Sequence, residues 1–269
     1  MTVRTFLVTG LLVGLVAGVL TFAVANLFGE PSIDTAIGIE EANSAAAEAP
    51  AADDGHTHAD GEEAGGHSHG DEEGGISRTT QKTWGLATAM VVVGPALGGL
   101  VGIAAAFAMG RLRRLSPAQS TALVALLGFV AVALVPFAKY PSTPPAVGSG
   151  DTIGSRTGLY FGFLLVSVVA MIGAVLLGKM LLGRLRTTEA VAAAAAAYLL
   201  VVVVVGHLMP TVNELGSFPA DTLWYFRRAS LVTLATLWAL IGVGMTAMVA
   251  RQHEKATMAH AKRELAASL

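Results

Sequence analysis

Cysteine is absent from all 269 residues, which excludes disulfides, thiolate metal ligands and thiol redox chemistry anywhere in the chain. Any metal must therefore be held by nitrogen, oxygen or thioether. Charge is scarce as well. Asp, Glu, Lys and Arg make up 13% of the chain, about half the share usual in a soluble domain. Sequence signatures of catalysis are missing too: no phosphate-binding glycine loop, no nucleophile placed with a base, and no His–Glu spacing of the kind a metallohydrolase carries on a helix. An enzyme is not expected, and neither is a nucleic-acid partner. What remains is 54% hydrophobic residues with 31 glycines, arranged in runs long enough to cross about 30 Å of hydrocarbon as helices. The composition predicts an all-α membrane protein surrounded by lipid.

Six such runs can be marked, at residues 6–28, 84–109, 118–137, 157–182, 189–209 and 229–250. They predict six transmembrane helices arranged as three hairpins. The first follows Arg4 and contains Ala23-Val24-Ala25, which resembles a signal-peptide cleavage site, but the run is longer than the 7–15 residues typical of a signal peptide. Gly10, Gly14 and Gly18 recur every fourth residue, as do Gly94, Gly98, Gly102, Ala106 and Gly110 in the second run. Stripes of small residues let helix backbones approach closely, so these two helices should pack on each other or on a partner subunit, in a homo-oligomer or a larger complex. Pro95 predicts a kink in the second helix. Ser116-Pro117 predicts a capped start for the third.

Residues 30–83 form the only long polar segment, and its Ala, Gly, Glu and Asp content predicts a mostly disordered loop. Within it lie His56, His58, His67 and His69, ringed by Asp53, Asp54, Asp60, Glu62, Glu63, Asp71, Glu72 and Glu73. Four imidazoles among eight carboxylates suit transient capture of a divalent transition metal: Co2+, Ni2+, Zn2+ or Cu2+. A solvated acidic linker with incidental histidines is the plainer alternative. No tightly bound cofactor is expected.

An even number of spans puts both termini on one side. Eleven basic residues fall on that side (Arg4, Arg111, Arg113, Arg114, Lys179, Arg184, Arg186, Arg251, Lys255, Lys262, Arg263), against six on the other. Positive-inside bias then makes both termini cytoplasmic in a multi-pass plasma-membrane protein, with residues 30–83 outside and 251–269 a cytoplasmic tail. Only Glu189, Glu254 and Glu264 of the 19 acidic residues lie inside. The acidic outer face should concentrate cations. Trp84, Tyr140, Tyr160, Trp224 and Tyr225 fall near the outer boundaries, where such rings anchor spans at the headgroups.

The exit of the fifth run, residues 206–228, reads GHLMPTVNELGSFPADTLWYFRR. Ionisable groups beside hydrocarbon are costly unless used or paired. His207, Met209, Glu214 and Asp221 are the candidate metal ligands, near a helix C-terminus whose carbonyls favour cations. In the alternative, His207 caps the helix end and Glu214 pairs with Arg227 or Arg228. There is also a repeat: Pro136, Pro145, Asp151-Thr152 and Arg156 are echoed by Pro210, Pro219, Asp221-Thr222 and Arg227. It suggests parallel repeats related by an axis along the membrane normal.

With these residues named, the chain resembles the CbtA family, an integral-membrane subunit of a cobalt transporter. The resemblance is carried by the glycine-rich first span, the His-x-His loop, KYPSTPPAV with DTIGSRTGLY, and HLMPTVNE with FPADTLWYFRRASL. It implies cobalt uptake and a small histidine-bearing membrane partner, CbtB. The competing expectation is an accessory subunit that docks in a larger complex through its glycine faces and transports nothing itself.

Overall fold

In lipid every backbone N–H and C=O must be bonded within the chain, which leaves helices as the way for these runs to cross. The computed structural model describes residues 2–48, 77–112 and 115–268, and among them there is no strand. Six helices are long and apolar enough to cross a membrane: α1 (Val3–Ala46), α2 (Arg78–Ala108), α3 (Pro117–Lys139), α4 (Gly150–Leu181), α5 (Thr187–Leu208) and α6 (Ala220–Ala267). Their starts are set by local chemistry. The Thr2 hydroxyl accepts from the Thr5 amide, and Ser116 and Gln119 exchange the two bonds of a capping box, as Ser116-Pro117 foretold.

The first surprise is length. The helix of the first span passes through a π turn at Ala25–Gly29 and continues as Glu30–Glu48, so part of the segment expected as a disordered loop is helical. Two causes can be named. The stretch IEEANSAAAE is rich in strong helix formers, and the acids that precede it are held by α2, where Arg78 pairs with both Glu30 and Asp34 and Lys82 lies 3.5 Å from Asp34. Opposite π turns meet here: Asn26, in the π turn of α1, donates to the carbonyl of Lys82 in the π turn of α2, Gln81–Gly85. The four histidines His56, His58, His67 and His69 lie outside the described residues.

The two glycine stripes pack on each other. A Cβ on Gly10 would overlap the carbonyl of Gly98, one on Gly14 the carbonyl of Gly94, and one on Gly18 the carbonyl of Met90. Pro95 sits inside a continuous helix, its Cα against Gly14. The most extensive helix pairs are α1 with α2, α1 with α6, α3 with α6, and α4 with α5. Thus α6 returns to α3, and α5 packs on α4 across their short turn. The first core joins Phe6, Ala17, Val101, Ala105 and Ala125 to Trp238, Ile241, Met245 and Val249. Met248, one turn from Met245, is 38% exposed and belongs to the lipid-facing side.

A second core, Tyr140, Phe163, Ala174, Tyr198 and Val202, joins the α4–α5 pair to α3. Its one buried polar contact is the 2.8 Å bond between Ser167 and Tyr198. Gln252 Nε2 donates to Thr9 Oγ1 at 2.9 Å, tying the α6 end that leads to the C-terminus to the N-terminal end of α1. Both chain ends therefore lie at one end of the bundle.

Candidate functional site

At the opposite, distal end the loops after α3 and α5 are locked together. Lys139 Nζ donates to the Met209 carbonyl at 3.2 Å, and the Tyr140 hydroxyl donates to the Pro210 carbonyl at 2.7 Å. Burial pushes the Tyr140 phenol above its ordinary value, so it stays protonated and able to donate. These two bonds join the ends of α3 and α5, the two helices that carry the sequence repeat.

Glu214 completes the lock. Its Oε2 accepts from Thr152 Oγ1 at 2.8 Å and from the Ser149 amide at 3.3 Å, and lies 3.6 Å from Arg156 Nε, at ion-pair distance. The guanidinium of Arg156 also reaches the carbonyls of Val147 and Ser149. Gly148, at φ +93°, leaves room for this pair: a Cβ there would overlap the Arg156 guanidinium and stand 2.8 Å from the Glu214 carboxylate. Glu214 is thus bound to the α3–α4 loop and the first turns of α4, and the pairing with Arg227 or Arg228 is not formed.

The other expected exit ligands go elsewhere. His207 is exposed in the last turn of α5, whereas Met209, two residues on, packs inward against the second core. At 100° per residue, positions 207 and 209 of a helix point to nearly opposite faces. Asp221 is exposed at the start of α6 and accepts from the Thr222 amide, where a carboxylate suits the helix dipole. Among the described residues no three of His, Asp and Glu come together as a metal-holding group. His207, Glu214 and Asp221 therefore form no such group in this structure, although they lie close in sequence.

What the distal end does contain is a cavity of about 740 Å³ between α1, α2, α3, α4 and α6. Its polar lining carries Lys139, Ser142, Arg156 and Arg227, and its apolar lining carries Leu86, Met90, Phe161 and Leu234. Glu30, 7% exposed, also lines it but is engaged by Arg78. The sequence reading missed this basic lining, although its repeat had aligned Arg156 with Arg227, and both reach the cavity. Residues flanking the histidine-bearing segment, such as Glu30, Ile33 and Leu86, share the cavity with Val212 from the α5–α6 loop.

Comparison with known proteins adds one finding. The family model described as probable cobalt transporter subunit, CbtA, matches residues 3–250, from the start of the first span to the end of the sixth. No curated protein and no solved structure matches the chain.

Proposed function

Because the chain belongs to the CbtA family of probable cobalt transporter subunits, we propose that it is the membrane subunit through which cobalt ions enter the cell. The family match over all six spans is the observation that carries this reading. The distal end faces outward, as the eleven-to-six distribution of basic residues favours. There the segment with His56, His58, His67 and His69 collects divalent cations from dilute solution, its eight nearby carboxylates raising their local concentration. The membrane core then admits them, with no enzymatic step.

Passage of a divalent cation inward is favoured by about 4.6 kcal/mol per 100 mV, twice the value for one charge. A small histidine-bearing subunit of the CbtB kind assists. His207, alone at the exposed end of α5, is a relay ligand to such a partner and not part of an internal cage. The glycine faces argue against the accessory reading, since Gly10, Gly14 and Gly18 are spent on α2 and are not free to dock another subunit.

Cells making the full chain, the chain lacking residues 50–75, or neither, should differ in uptake of radioactive cobalt at sub-micromolar supply. The full chain should be fastest and the truncated chain slower but above background. Equal rates in all three would dismiss the proposal, and equal rates for full and truncated chains would dismiss the capture step alone.

A further inference from the structure

The distal cavity holds more positive charge than its surroundings balance. Of its three cations, Arg156 is matched by Glu214. Lys139 and Arg227 have no carboxylate partner among the described residues, and Glu30, the acid in the lining, is already held by Arg78. Lys139 has only the Met209 carbonyl and the face of the Tyr140 ring, 5.2 Å away. Arg227 Nε and Ser142 Oγ are buried and have no hydrogen-bond partner among the described residues. Desolvated cationic and hydroxyl donors without acceptors are costly, so they mark a place where an acceptor belongs.

A bare divalent cation is repelled here. An anion with several acceptor oxygens is not. Beyond the donors the wall turns apolar through Leu86, Met90, Phe161 and Leu234, so a ligand with one charged end and one greasy end would satisfy both halves. From these donors we infer that the cavity is a binding site for a phosphate group, held by Lys139, Arg227 and Ser142, whether on an anionic phospholipid or as free phosphate. The inference stands independently of what the chain transports.

The test uses the full chain purified in mild detergent, with native mass spectrometry and thermal unfolding as readouts. Phosphatidylglycerol should bind at one per chain in preference to phosphatidylcholine and raise the unfolding temperature. The variant Lys139→Gln/Arg227→Gln should lose at least about tenfold in phosphatidylglycerol affinity, the scale of one lost charge-assisted hydrogen bond. Arg184→Gln, at the opposite end and exposed, should behave as wild type. Stabilisation by phosphatidylglycerol but not by millimolar inorganic phosphate identifies the lipid source, and stabilisation by inorganic phosphate alone identifies the soluble one. Wild-type protein that binds both lipids equally and ignores phosphate overturns the inference, and that comparison needs no variant to fold. So does unchanged affinity in the double variant.

Discussion

Glu214 illustrates how one side chain changes meaning when its neighbours are known. In sequence it lies seven residues after His207 and looks like a ligand, yet it holds the α3–α4 loop and the start of α4 through Ser149, Thr152 and Arg156. Glu214→Gln should therefore destabilise the distal end by about 1–3 kcal/mol, the range for a charged hydrogen-bonded group losing its partner, read as a lower unfolding temperature with the metal content of the purified protein unchanged. Loss of bound metal without loss of stability would return Glu214 to the ligand set. Gly148→Val should do the same damage by a different route, because it strains a positive φ and pushes Arg156 off the carboxylate. The Ser167–Tyr198 bond is a smaller device. Buried hydrogen bonds between membrane helices average about 0.6 kcal/mol, with a ceiling near 1.7, so Tyr198→Phe should lower stability modestly and add nothing further on Ser167→Ala.

At the scale of elements, the α1–α2 pair is the firmest unit, because glycine opposite glycine brings backbone against backbone. Gly14→Leu should cost about 3 kcal/mol or more, since neither helix backbone can yield as a side chain can. Loss of folded, monodisperse protein on size-exclusion chromatography checks this, and Gly29→Leu, where a Cβ meets nothing within 4 Å, is the control. This pairing was legible in advance: a four-residue glycine period on two consecutive spans states which faces will meet. The helical stretch Glu30–Glu48 was not, because hydropathy and charge pointed to a loop, while the ion pairs of Glu30 and Asp34 with Arg78 come from residues 44 to 48 positions away. The exit residues separate for a related reason. A cluster in sequence that straddles a helix end is dispersed by the 100° step, and it sent His207 and Met209 to different faces. Lys139 and Arg227 went unrecognised as a pair because nothing local connects them. The repeated spacing of prolines and arginines linked Arg227 to Arg156 and not to Lys139.

For the whole molecule, a chain without cysteine is a ready instrument, since every introduced thiol reports without background. Thr9→Cys/Gln252→Cys should join under a short bismaleimide, as the 2.9 Å bond between those side chains requires. Absence of the cross-link would deny that both chain ends share one end of the bundle. A single thiol at Ser217, on the distal loop, should react with an impermeant maleimide added to intact cells, and one at Ser268 only after the cells are opened. Those two reactions fix the orientation that the basic residues favour.

The central claim, inward passage of cobalt by this subunit, is tested most directly by radioactive cobalt entering sealed, right-side-out membrane vesicles under an inside-negative potential. The account predicts a faster initial rate in vesicles that contain the chain together with its small membrane partner than in vesicles that contain the partner alone. Identical rates in the two preparations would contradict it.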